Sequence, residues 1–387
     1  MFDQRKSHAG NQRHQDRQLK AVGHRPRLAF GLLFFALCLL LPVEVRGQFV
    51  YVNNEAARNR VSGFRISPNG TLTPVAGSPF ETNSLGGRVD SFSNATITVT
   101  GDFVFACNTV SRTVSGFKIN ADGSLAMVAG SPFATGGGFP IAVTANRQGT
   151  LLFVANRDTD TVSAFQIGST GALSPVPGSP FNLRPLRRPT GLAITSTGTF
   201  LLVGGQRAWG SYRISPDGSL TAVGPPMATE LDMQALVITP NDRFVYATDA
   251  EQNTVGGWRL SADGQLTAVE GSPYSVGEAG NTLGLALNPR GNLLFVTVAE
   301  EAKVYVFRVT SGGALQQAIL GSPFSTTGSE LKPLGVSPNG DFLYAIDVID
   351  RLIHVFRINS FGPTLTETAD PAPTGLSAGR PSGLAFK

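Results

Sequence analysis

Three observations along the 387 residues predict an all-β fold, a seven-bladed β-propeller of four-stranded antiparallel blades. A Gly-Ser-Pro-Phe tetrad recurs at a spacing typical of propeller blades. An apolar strand with a common ending recurs seven times, and the C-terminal segment copies an inner strand that the first repeat lacks. The 45 Gly and 25 Pro, against 15% charged residues, suit many short strands joined by tight turns.

The tetrad stands at Gly77–Phe80, Gly130–Phe133, Gly178–Phe181 and Gly321–Phe324. Gly271–Tyr274 is a close variant and Gly224-Pro225-Pro226-Met227 a degraded one, and successive spacings are 53, 48, 46, 47 and 50 residues. A repeat of that size cannot bury its faces alone and must stack on its neighbours. The tetrad prolines belong on the outermost strand, where a missing N–H costs little and edge pairing is discouraged. The tetrad aromatic is expected to wedge between blades.

Within a repeat, four segments recur, as in Pro140–Thr144, Leu151–Asn156, Thr161–Ile167 and Ala172–Val176. The second is almost continuously apolar, as a strand covered on both faces should be. The third alternates. Ser67-Pro68-Asn69-Gly70 and Ser215-Pro216-Asp217-Gly218 supply a Pro-compatible corner followed by Gly where φ must be positive. Asn69-Gly70-Thr71 also spells a glycosylation sequon, which the turn already explains.

Counted by the apolar second strand, the blades begin at Phe49–Asn54, Phe103–Asn108, Leu151–Asn156, Phe200–Gly205, Phe244–Asp249, Leu293–Val298 and Phe342–Asp347. No inner strand precedes the first. Arg380–Lys387 resembles Arg188–Ile194 and Lys332–Val336 and is left over at the end, so it is expected to complete blade 1. Closure of this kind leaves no unpaired edge between the termini.

Charge must be read in two parts. Residues 1–47 carry eight of the 31 basic residues and three of the 27 acidic ones, which leaves 23 and 24 in the remainder. A near-neutral body excludes nucleic acid as a partner, since phosphate binding needs positive charge on the folded surface. Residues 1–47 read as a basic leader and export signal, and 48–387 as the propeller. Leu28–Leu41 is apolar for 14 residues, short of the roughly 20 that span a bilayer. The mature protein is therefore expected to lack a membrane span and to be secreted, periplasmic or held in the cell envelope. Cleavage near Gly47 or retention as an anchor are both open. Cys107 is then the body's one cysteine, a small strand hydrophobe, so no internal disulfide holds the fold.

The strand endings Tyr51-Val52-Asn53-Asn54, Phe153-Val154-Ala155-Asn156 and Tyr246-Ala247-Thr248-Asp249, with the run Ser337–Tyr344, resemble the lactonase-type (YVTN-repeat) propeller family over residues 48–387. That family includes bacterial 6-phosphogluconolactonase and muconate-lactonising propellers, together with surface and periplasmic repeat proteins. The resemblance implies a Pro-Arg-His element at an inner strand, with further Arg and Glu residues around the channel. This chain departs from it. Its inner strands begin Phe139-Pro140-Ile141, Arg188-Pro189-Thr190, Lys332-Pro333-Leu334 and Arg380-Pro381-Ser382, and His354 is the one histidine beyond residue 47. Asn54-Glu55 matches the family's Asn-Glu ending.

Candidate binding residues lie where loops surround a channel mouth. Arg188, Lys332 and Arg380, at the starts of inner strands, could hold a carboxylate, phosphate or lactone carbonyl, or could be solvated turn charges. Asn54, Asn108, Asn156, Asp249 and Asp347 form a column at the second-strand ends. They could bind a polyol or cap their own turns, and Gly205 and Val298 interrupt any full ring. Neither a metal nor another cofactor is expected, because Glu300, Glu301 and a lone body histidine make no ligand cluster. No nucleophile elbow accompanies the loop serines.

Two functions remain open. The first is an exported, monomeric binding or scaffold propeller that takes a small molecule, glycan or protein at its channel mouth. The absence of the family's histidines favours it. The second is a lactone hydrolase in which Arg188 or Arg380 polarises the carbonyl and Glu55 activates water.

Overall fold

The computed structural model describes residues 48–387 except 88–94, 278–279, 318–320, 360–363, 369–370 and 377–378. The expected export segment lies outside the described residues. The described residues belong to one compact unit.

Seven antiparallel blades make up the ring. In blade 3 the order is Pro140–Ala145, Leu151–Asn156, Thr161–Ile167, then an outer strand in two short pieces, Leu173–Pro175 and Phe181–Asn182, both paired to the third strand. The outer strand is thus interrupted at the tetrad rather than running through it. The tetrad serine bridges the gap. Its hydroxyl accepts the third-strand N–H of Gly63, Gly116, Ala164, Gly257 or Val306 at 2.8–3.1 Å.

The second strands alternate between neighbours. Leu151, Phe153 and Ala155 pack toward blade 4, Leu152 and Val154 toward blade 2. This explains their continuous apolarity, because no face meets water. Seven hydrophobic clusters result, one at each junction between successive blades, and the tetrad aromatics Phe80, Phe133, Phe181, Tyr274 and Phe324 pack on their edges.

The ring closes as the sequence predicts. Arg380–Phe386 pairs with Gln48–Glu55, with Leu384 opposite Val52, and makes the inner strand of blade 1. The blade 7–blade 1 junction adds Tyr344, whose hydroxyl donates to the Gly70 carbonyl at 2.9 Å. Gly70 has φ +90°, and a Cβ there would lie 2.5 Å from the Phe342 ring, so glycine answers both the turn and the close approach.

Blades 4 and 5 depart from the expected pattern. Phe200–Ile214 is a single 15-residue strand instead of ending at Gly205. Where blade 4 has its degraded tetrad, the chain runs straight on as Met227–Ile238 and pairs with Gln206, Ala208 and Trp209. The two blades therefore share one eight-stranded sheet. Trp209 and Trp258 fill their junction, with ring centroids 4.6 Å apart. Among the described residues no helix is long and apolar enough to cross a membrane.

Candidate active site

Because inner and second strands are antiparallel, inner-strand starts and second-strand ends share one face of the ring. Glu55 lies opposite Arg380, Asn156 opposite Pro140, Asp249 opposite Met233 and Asp347 opposite Leu331. Every candidate named from the sequence falls on this face.

The column of Asn and Asp side chains is buried and engaged. Asn54, Asn108 and Asn156 donate to Ser62, Ser115 and Ser163 on their own third strands at 2.7–2.9 Å. Those serines donate onward to the carbonyls of Thr374, Thr82 and Thr135 on the preceding blade. Asp249 accepts the backbone N–H of Glu251 and Gln252. Asp347 accepts those of Ile349 and Asp350 on one oxygen and those of Ser329 and Glu330 on the other. Fully buried polar groups held this way tie turns and blades together. In blade 7 the serine position is taken by His354, which is buried, with Nδ1 2.7 Å from the Glu367 carboxylate.

The cations differ from one another. Arg188 is exposed, at φ +49°, and its backbone N–H donates to Asp160 at 2.8 Å. Lys332 is largely covered and its Nζ is 2.7 Å from a Glu330 carboxylate oxygen. Arg380 begins the closing strand directly across the ladder from Glu55.

Glu55 is the most unusual group. It ends the first strand, faces blade 2 and is 1% exposed. Its Oε2 accepts the Gly87 N–H and the Thr109 hydroxyl, each at 2.9 Å, and Asn53 Nδ2 lies 3.4 Å from Oε1. Burial outweighs these donors and pushes the carboxyl up to about 8, so at neutral pH it holds its proton. Gly86 roofs the acid, and a Cβ there would lie 2.6 Å from Oε2. Around it, Asn53 Nδ2 donates to the Cys107 carbonyl at 3.1 Å, and the Thr96 and Ser382 hydroxyls meet at 2.9 Å. Burial and the nearby Glu55 hold the Cys107 thiol well above its ordinary range, in keeping with a packing role.

Sequence patterns alone do not point to Asn53, Gly87, Thr96 or Ser382. Thr109 had a usable signal, since it follows Asn108 as Glu55 follows Asn54. Asn53 and Ser382 come from two strands of blade 1, Gly87 from a loop and Thr96 from the residue just before the first strand of blade 2. Among the described residues no three His, Cys, Asp or Glu side chains are grouped to hold a metal.

The family profile "Lactonase, 7-bladed beta-propeller" matches residues 41–181. No curated protein sequence matches the chain. Among solved structures, a Bacteroides fragilis protein assigned as a 6-phosphogluconolactonase is similar with TM-score 0.72 and 20% identity, over 89% of this chain and 99% of that one. The periplasmic gluconolactonase of Pseudomonas aeruginosa is similar with TM-score 0.71 and 18% identity, over 88% and 98%. In fold the chain is a seven-bladed β-propeller, like these two proteins.

Proposed function

We propose that the chain is a lactone hydrolase acting outside the cytoplasm. The observation that carries this reading is a buried, proton-holding Glu55 set across one ladder from Arg380 at the loop face. In the reaction, Glu55 as carboxylate takes a proton from water while the water oxygen bonds to the lactone carbonyl carbon. Arg380 steadies the developing oxyanion. The ring C–O bond then breaks and the proton passes to the leaving alcohol oxygen, giving the open hydroxy acid. The lactonase profile and the gluconolactonase likeness support the reaction class. The apolar leader and that periplasmic neighbour support the location.

A base held near 8 makes kcat/KM rise with pH and level off above about 8. Hydrolysis of sugar lactones by the full chain is expected to fall about 100-fold or more in Glu55→Gln, in line with loss of a general base. Arg380→Ala should also lose about 100-fold, as for an oxyanion donor. Unchanged rates in both variants would remove these residues from the mechanism.

One observation favours the binding reading instead. Leu85 and Val110 are 50% and 52% exposed beside the Gly86–Gly87 roof, next to a hollow of about 460 Å³ lined by Arg58, Glu81, Asn83, Ser84, Leu85 and Ser111. A chain that binds sugar lactones without turning them over would be read as a binding propeller.

A further inference from the structure

The third strands repeat a charge that the hydrolase reading leaves unused. Arg65, Lys118, Arg213, Arg259, Arg308 and Arg357 hold one position near the end of that strand, and blade 3 alone differs, with Gln166. All six cations are exposed. Arg65, Lys118, Arg259, Arg308 and Arg357 stand opposite the first apolar residue of their own second strand, Phe49, Phe103, Phe244, Leu293 and Phe342. Arg213 lies over the Phe200 ring at 4.7 Å. The set therefore rings the face where second strands begin, opposite the face that holds Glu55 and Arg380.

Three more exposed arginines, Arg147, Arg243 and Arg290, lie on this face in the turns that lead into second strands. These cations outnumber the aspartates beside them, Asp122, Asp217, Asp242, Asp263 and Asp341, while Asp102 is paired with Lys387 at 2.6 Å. Residues 48–387 are near neutral in total, so the rest of the body is net acidic. The body's charge is separated by face rather than absent.

Stacking accounts for part of the ring. Arg65, Arg213, Arg259 and Arg357 lie 4.7–5.4 Å over phenylalanine rings. It does not account for Arg308, which stands opposite Leu293, or for Arg147 and Arg290, exposed on their turns.

The chain also enters the propeller on this face, where Gln48 pairs with Ile66 beside Arg65. Six residues, 42–47, separate Gln48 from the apolar stretch Leu28–Leu41. Fully extended, they reach about 20 Å. A bilayer that holds that stretch thus lies close under the cations. The exposed Leu85, Val110 and Ile349 belong to the opposite face, so contact here is made by charge and not by insertion.

We propose that the cationic face rests on an anionic phospholipid surface, that of the bilayer holding the apolar leader, and turns the Glu55–Arg380 face toward solvent. The proposal takes residues 1–47 as the sequence reads them and is independent of the hydrolase reading.

Cosedimentation of the full chain tests it with vesicles of phosphatidylcholine alone or with about one-third phosphatidylglycerol. The ratio of the two affinities is compared between variants that share the same basic leader. Each cation at an anionic surface strengthens binding about fivefold. Arg147→Glu, Arg290→Glu and Arg308→Glu combined should therefore lower the ratio about tenfold or more. The same charge change on the other face, by Arg58→Glu, Arg112→Glu and Arg187→Glu combined, should alter it by less than about threefold, because screening confines such effects to about 10 Å. Should the first triple variant not fold, its three single variants decide, each with a loss of about fivefold. Equal loss in both triple variants, or none in the first, overturns the proposal. Hydrogen exchange of the wild-type chain reads the orientation. Phosphatidylglycerol vesicles should slow the turns at 146–149 and 288–291 and leave those at 157–160 and 250–253 unchanged. The reverse pattern overturns the proposal, and so does equal protection of the first two turns by duplex DNA.

Discussion

Glu55 works against the fold at the pH where most proteins are stable. In the unfolded chain its carboxyl ionises near 4.5, whereas in the folded protein it keeps its proton up to about 8. Between those values the native state binds a proton that the unfolded state has released. Stability contributed by the neutral acid is thus present below about 4.5 and is lost as pH rises toward 8. A rise that large corresponds to a few kcal/mol, a large share of a typical domain stability of about 5–15 kcal/mol. Glu55→Gln cannot ionise and escapes this loss. Urea midpoints at pH 5 and pH 8 should therefore fall for the wild type and stay nearly level for the variant. Parallel pH dependence in the two proteins would mean that Glu55 is solvated or already ionised. The acid itself was legible as the Asn-Glu ending of a repeat. Its environment was not, because Thr109 and Gly87 reach it from the next blade and from a loop with no period of its own.

At the scale of one element, the tetrad marked where each outer strand lies, but not why it contains a serine. The reason is an interruption. The outer strand breaks into two pieces, and the third-strand N–H left between them is met by the serine hydroxyl, for example Gly116 N–H to Ser131 at 3.0 Å. That partner lies 15 residues upstream on another strand, so no local pattern reveals it. Ser131→Ala and Ser179→Ala should each cost about 1–2 kcal/mol, the penalty of a covered N–H without an acceptor. The exposed Ser169, on a turn of the same repeat, should change stability by less than about 0.5 kcal/mol when replaced by Ala. Equal losses at all three positions would show that the bridge contributes nothing. Blade 4 is the natural contrast. Its Gly224-Pro225-Pro226-Met227 lacks the serine, and there Met227–Ile238 continues unbroken into blade 5. The sequence flagged that tetrad as degraded. It could not say that the outcome was a shared sheet, since the pairing of Gln206 with Asp232 joins two repeats rather than recurring within one.

Over the whole molecule, stability depends on where the ring is closed. The period gave the blade count, and the spare strand at Arg380–Lys387 gave the closure, because both are properties that repeat. Six junctions between blades lie within continuous chain, while the join of blade 7 to blade 1 relies on Leu384 and Phe386 as well as on Val50, Val52 and Tyr344. The Phe386 ring lies tilted against Tyr344, with centroids 5.7 Å apart, and Lys387 exchanges backbone hydrogen bonds with Phe49. Deleting residues 380–387 would remove this strand, expose the edge of Gln48–Glu55 and forfeit the packing of Leu384 and Phe386, at up to about 1.5–3 kcal/mol each. Adding the lost ladder bonds at about 1 kcal/mol apiece brings the loss close to the whole stability of an ordinary domain. A chain ending at Gly379 should therefore either fail to fold or melt at least about 10 °C below the full chain by circular dichroism, since 1 kcal/mol shifts Tm by only a few degrees. Alanine at Phe386 alone should fall between the two, because it empties part of the junction yet keeps the ladder. A truncated chain that melts with the full one would show that six inner strands plus an open blade suffice, and would detach the Glu55–Arg380 pair from the integrity of the ring.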